Sequence, residues 1–95
     1  MAIIRINEFH AADGSAVALK EFLGSIIAQI EGAPGCRGCE LLVDPADATR
    51  LAIIETWDDV AAHQAAASRV PREQYAAFQT LIVEPPHSRY YSRVS

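Results

Sequence analysis

The chain has 95 residues, 51% of them hydrophobic, and a formal net charge of −4 from 12 acidic and 8 basic side chains. A length near 100 residues gives one domain, taken as the whole of 1–95, and an acidic balance with no basic stripe speaks against nucleic acid and anionic membrane as partners. The opening MAIIRINEFH carries charge too early for a signal peptide, no apolar run approaches the roughly 20 residues of a membrane span, and two cysteines make no disulfide scaffold, so the expected address is cytoplasmic.

Ala2 to His10 reads as a strand with Ile4 and Ile6 on one side and Ile3, Arg5, Asn7 and Phe9 on the other. Asp13-Gly14-Ser15 supplies turn and N-cap chemistry. Leu19, Phe22, Leu23, Ile26, Ile27 and Ile30 then recur at three- and four-residue spacings, the clearest helix in the chain. Gly32-Ala33-Pro34-Gly35 stops it, and Cys36 to Val43 forms a strand. After the turn Asp44-Pro45-Ala46-Asp47 the antiparallel partner runs from Arg50 to Trp57. Asp58 or Asp59 caps a second helix reaching about Ser68. A further helical segment spans Arg72 to Ile82, and Pro85-Pro86 leads into a last strand, His87 to Val94.

The order is β-α-β-β-α-β with an extra helical segment, which predicts an α+β, ferredoxin-like domain with helices on one face of a four-stranded antiparallel sheet. Strand three is apolar on both sides, Leu51 and Ile53 against Ala52 and Ile54. Together with a slightly positive mean hydropathy of +0.09, this predicts that the second sheet face is buried by another copy, giving a homodimer.

Several residues have chemistry suited to a site. Trp57 stands where strand hands over to helix, and Asn7 lies on what must be the neighbouring strand. An indole offers a stacking face and a donor, and an amide offers a donor and an acceptor. Ala61, Ala62, Ala65, Ala66 and Ala67 bring little volume to the helix covering this side. That helix must either sit close to the sheet or leave a cavity lined by Trp57, Phe9, Phe22 and alanines such as Ala66, suited to an aromatic ligand. Tyr90 and Tyr91 alternate on the last strand, one toward the pocket and one toward a partner; the pocket side is assigned to Tyr91. Glu55 is expected to pair with a strand arginine such as Arg5. Cys36-Arg37-Gly38-Cys39 begins a strand, where a three-residue offset sends the sulfurs to opposite faces, and no second pair completes a metal site.

Pro34-Gly35-Cys36 opening the second strand, Glu55-Thr56-Trp57 closing the third, and Asn7 upstream resemble the antibiotic biosynthesis monooxygenase (ABM) family of dimeric α+β barrels. The resemblance implies a cofactor-independent monooxygenase acting with dioxygen on an electron-rich aromatic such as an anthrone-like polyketide or a quinol. Asn7 and Trp57 would hold the oxyanion, and His63 would stand near the place of a proton-handling tyrosine, a role its ordinary pKa suits. An alternative branch binds and degrades haem; its iron-ligating histidine falls about nine residues after the tryptophan, where this chain has Ala66, leaving His63 one turn earlier as the substitute. A third reading is a non-catalytic dimer that binds a small molecule.

Overall fold

A computed structural model of the protein describes residues 2–94. Strand β1 (Ile3–His10) leads into helix α1 (Ala16–Ile30), then the hairpin of β2 (Cys36–Asp44) and β3 (Asp47–Trp57). Helices α2 (Val60–Ala67) and α3 (Arg72–Gln79) precede β4 (His87–Ser92). The strands form one antiparallel sheet in the order β2-β3-β1-β4, which is the expected ferredoxin-like plan.

The hairpin is set by its turn aspartates: Asp44 accepts from Ala46 N–H at 2.8 Å, and Asp47 accepts from Thr49 N–H at 3.0 Å. These side chains fix the strand exits as Asx turns do. At α1 the residue before the first turn is Ser15, yet its side chain makes no capping bond. At α2 Asp59 accepts from Ala62 N–H at 2.8 Å and is the cap, while Asp58 instead pairs with Arg37.

Alternation sorts the sheet into two faces. Asn7 and Phe9 on β1 and Leu51, Ile53, Glu55 and Trp57 on β3 are all buried, under the helices. Phe9, Leu19, Leu23, Leu51 and Ile53 form one apolar cluster, with Phe78 of α3 packed against it; Ile30, Trp57 and Ala66 form a second. The opposite face carries Ile4, Ile6, Ala52 and Ile54, all half-buried, beside Leu42 and Tyr91, which are exposed.

β2 departs from the expected parity. The register steps between Cys36 and Gly38, so Arg37 is an extra residue. Cys36 and Cys39 are thereby both packed on the Ile30–Trp57–Ala66 cluster rather than on opposite faces.

Among the described residues no helix is long and apolar enough to cross a membrane.

Candidate functional site

The site is built on the register between β1 and β3, which sets Arg5 opposite Glu55, Asn7 opposite Ile53 and Ile3 opposite Trp57. Glu55 and Trp57 are two residues apart, so both point under the helices. The indole Nε1–H of Trp57 donates to Glu55 Oε1 at 2.8 Å, and Asn7 Nδ2 donates to Glu55 Oε2 at 3.2 Å. The two donors expected to face a ligand therefore converge on one carboxylate that is only 3% exposed.

Glu55 is the hub of the site, in place of the strand-face ion pair expected for it. Arg5 makes no hydrogen bond to it: the guanidinium Nε is buried without a partner among the described residues, and the group lies over the Tyr90 ring at 5.3 Å. Asn7 Oδ1 is likewise buried and unpartnered. Burial raises the Glu55 carboxyl above the usual carboxylate range, against the lowering effect of the Trp57 bond, the Arg5 charge and the Asn7 bond.

His63 lies across the hub on α2. Its side chain is only 12% exposed. The ring sits edge-on to Trp57 and to Tyr90, each at 5.5 Å between centroids. Nε2 is 4.0 Å from Glu55 Oε1, and Nδ1 is 2.6 Å from Tyr90 Oη. Desolvation, with a smaller contribution from the Arg5 charge, pushes its pKa down to about 4, so the ring is neutral near pH 7.

That depression has a measurable sign. The unfolded chain binds a proton near pH 6.5 and the folded chain only near 4, so stability is fully present above 6.5 and declines as pH falls toward 4. His63→Gln should lose less melting temperature than the wild type between pH 7.5 and pH 5; equal losses would contradict the buried, neutral ring.

Above the hub is a cavity of about 180 Å³. Asn7, Phe9, Phe22, Trp57, His63 and Ala66 all line it, and so do Arg5 and Glu55. Both alternatives for the alanine-rich helix are realised along its length: Ala62 closes on the backbone at Gly35, while Ala66 and Ala67 leave open space. The far wall is apolar, from Ile26 and Ile30 of α1 and Phe78 of α3, the last stacked on Phe22 at 5.6 Å and edge-on to Phe9 at 5.7 Å.

Tyr91 is a correction. It pairs with Ile4 on the open face and is 47% exposed, whereas Tyr90 pairs with Arg5 and reaches His63. The two tyrosines differ only in parity, and parity depends on how β4 registers against β1. Glu55, Tyr90, Arg5 and Phe78 are the site residues that sequence reasoning did not assign.

The cysteines lie beside the site and outside its chemistry. Burial, reinforced by the Glu55 charge, pushes the Cys39 thiol up to about 12, which leaves almost no thiolate at neutral pH. Native Cys39 should resist iodoacetamide at pH 7.5, and Cys36→Ser, a one-atom replacement at the edge of the Trp57 cluster, should change turnover less than about twofold; rapid alkylation of Cys39 would show that the strand opens.

The sequence profile described as "Antibiotic biosynthesis monooxygenase" matches residues 2–81. Among solved structures, PA3566 from Pseudomonas aeruginosa is 24% identical, covers 99% of this chain and 95% of its own, and superposes with a TM-score of 0.85. SnoaB, a cofactor-independent oxygenase from Streptomyces nogalater, is 17% identical over 99% and 94% with a TM-score of 0.85. A putative antibiotic biosynthesis monooxygenase from Chloroflexus aurantiacus is 25% identical over 100% and 95% with a TM-score of 0.81. No curated protein sequence matches the chain.

Proposed function

The chain belongs to the antibiotic biosynthesis monooxygenase family, and from that premise we propose that it is a cofactor-independent oxygenase of small electron-rich phenols, with a single-ring quinol the best fit. The observation that carries this reading is the cavity over Glu55: apolar along α1, with polar groups gathered on its sheet side and His63, Gln74 and Tyr75 at its α2 and α3 walls. Such a site takes up a flat ring and desolvates one polar edge of it.

Volume selects among the aromatic candidates. An apolar cavity of about 150 Å³ accepts benzene, so about 180 Å³ suits one ring with a few substituents better than a three-ring anthrone. The reaction balances without a redox cofactor: a 1,4-dihydroxybenzene loses a proton, its phenolate reduces dioxygen, and the products are a hydroxyquinone and one water. Electrons come from the substrate, and the protein's task is to bind, desolvate and deprotonate it. Asn7, Trp57 and His63 are the polar groups we assign to this task, with Phe9, Phe22 and Ala66 shaping the ring site.

Haem does not fit these residues. The position nine residues after Trp57 is Ala66, buried and without a ligating atom, and both ring nitrogens of His63 are already directed, at Tyr90 Oη and toward Glu55. The cavity is also smaller than the about 300–1,000 Å³ typical of sites for much smaller ligands.

We further propose that the apolar sheet face is covered by a second copy. A monomer of this mass should expose about 5,400 Å², and the chain exposes 6,078 Å², an excess near the roughly 800 Å² that one partner contributes to a standard interface. Ile54→Glu, in the middle of that face, is expected to halve the sedimenting mass while leaving the far-ultraviolet circular dichroism unchanged; an unchanged mass would remove the dimer.

The functional test is oxygen uptake with substituted 1,4-dihydroxybenzenes and with anthrone, the protein being free of added metal and flavin. Saturable uptake with the single-ring compounds is expected. Absence of uptake with either class would reduce the chain to a binding module.

A further inference from the structure

We propose that Glu55 is the group that receives the phenolic proton of the bound ring, and that His63 and Tyr90 form its route to solvent. The proposal rests on the ring-binding reading above, and it names a base that the family likeness does not supply.

Four observations meet at this point. Among the described residues Glu55 is the only carboxylate lining the cavity, which places a proton acceptor beside a bound phenol. It accepts from Trp57 on one side and Asn7 on the other, so its carboxyl is oriented in the cavity floor. Behind it stands His63, with Nε2 at 4.0 Å from Oε1 and Nδ1 at 2.6 Å from Tyr90 Oη. Tyr90 is 38% exposed, so the line that starts at a buried carboxylate ends at water.

The step balances as a proton transfer. The phenol O–H bond breaks, its electron pair stays on the ring oxygen, and the proton forms an O–H bond on Glu55. With Nδ1 of His63 donating to Tyr90 Oη, the lone pair of Nε2 faces Glu55 and takes that proton as the carboxyl closes the 4.0 Å gap. The Nδ1 proton then passes to Tyr90 Oη, and the tyrosine's own proton leaves to water. The site returns to its ionised carboxylate with the other imidazole tautomer, and ring rotation or reverse exchange with water resets it.

Electrostatics agrees with this order. The carboxyl is raised and the imidazole lowered, so a proton entering the site resides on Glu55 before His63. The charged and titratable groups around Glu55 are Arg5 on β1, Cys39 on β2 and His63 on α2. α1 contributes only apolar side chains to the cavity, and α3 contributes Gln74, Tyr75 and Phe78. Arg5, stacked on Tyr90, disfavours a lasting imidazolium and so keeps His63 a carrier rather than a store.

The test separates this step from oxygenation. 4-Nitrophenol is titrated into the protein under argon, about one pH unit below its own pKa, and the yellow phenolate band of the bound ligand is read. The wild type is expected to bind the ligand as phenolate. Glu55→Gln should bind it within about threefold of the wild-type affinity but as the colourless phenol. The variant is nearly isosteric, and Asn7 can flip to offer its unpartnered Oδ1 to the new amide. His63→Phe should still ionise the ligand, yet lower kcat in the quinol assay about 10-fold with KM little changed, and added imidazole should restore part of the rate. Expected losses for Glu55→Gln in kcat are about 10²–10⁴-fold. Equal ionisation in the wild type and Glu55→Gln overturns the assignment, as does a wild type that leaves nitrophenol unbound or neutral. Loss of ionisation in His63→Phe overturns the order of the relay. Intact, Glu55-dependent ionisation with no oxygen uptake overturns the oxygenase reading and leaves the base in place.

Discussion

Trp57→Phe is expected to lower kcat/KM for quinol oxidation about 100-fold, the usual effect of deleting one preorganised donor from a buried site. Phenylalanine keeps an aromatic ring against Ile30, Ala66 and Cys36 but removes the Nε1–H that donates to Glu55 at 2.8 Å. A buried carboxylate that loses a charge-assisted bond holds its proton more tightly. Since the carboxyl is already raised, the acid limb of the kcat/KM profile should move to still higher pH. The sign follows from the required state: Glu55 must be ionised to accept a proton, so activity is lost as pH falls through its pKa, and a higher pKa brings the loss earlier. Trp57→Ala should do more, abolishing turnover and costing about 3–5 kcal/mol of stability through the cavity it leaves. For 95 residues that is a large share of the expected total. Near wild-type rates in Trp57→Phe, with an unmoved profile, would sink the assignment of Trp57 to the site.

The fold, and the grouping of half of the cavity-lining residues, follow from residue pattern alone, for a physical reason in each case. A period of two on β1 groups Arg5, Asn7 and Phe9, and a period near 3.6 on α1 groups Leu19, Leu23, Ile26 and Ile30. Both patterns are local, so they survive without knowledge of the partner strand. The cavity-lining set Asn7, Phe9, Phe22, Trp57, His63 and Ala66 comes from combining such faces. What escapes is whatever depends on register or on an interruption of period. Tyr90 and Tyr91 are chemically equal on paper, and only the pairing of β4 with β1 puts Tyr90 beside His63. The cysteines share a face because Arg37 is inserted at a bulge, and no residue type announces it.

Glu55 is the most instructive case. A glutamate in a strand suggests an ion pair with the arginine opposite, and the register does set Arg5 opposite. Yet Arg5 turns onto Tyr90, and the carboxylate takes neutral donors from a diagonal neighbour and from two residues along its own strand. Neutral donors hold the charge without cancelling it. A carboxylate paired to a guanidinium is a poor base, because the pair favours the ionised form. The arrangement found here leaves Glu55 buried, oriented and raised, which is the combination a base near neutral pH requires. Asn7 Oδ1 and Arg5 Nε, buried without partners, mark the same place as one where local stability is sacrificed.

Gly35→Ala is expected to destabilise the protein by about 2–4 kcal/mol, combining the cost of a non-glycine residue at positive φ with that of overpacking. For a domain of this size the melting temperature should fall by roughly 10–25 °C. The backbone at Gly35 has φ of +85°, and an added Cβ would lie 2.6 Å from the Cβ of Ala62. Neither atom can give way, since each is fixed to its own backbone. Gly35 C=O also accepts from Asp58 N–H at 2.8 Å, the bond that ties the end of β3 to the segment entering α2. Relief of the clash therefore requires α2 to rise from the sheet, and Ala62 is the residue next to His63. The same substitution should thus lengthen the gap between His63 and Glu55 and slow the relay at temperatures where the variant remains folded. Ala62→Gly separates the two causes. In the double variant the steric part should be recovered, leaving the positive-φ strain and the roughly 1 kcal/mol of placing glycine in a helix. A favourable coupling between the two substitutions, with partial return of kcat, is the expected result of the cycle. Strict additivity in stability would mean that α2 does not rest on Gly35, and would remove the link between that glycine and the position of His63.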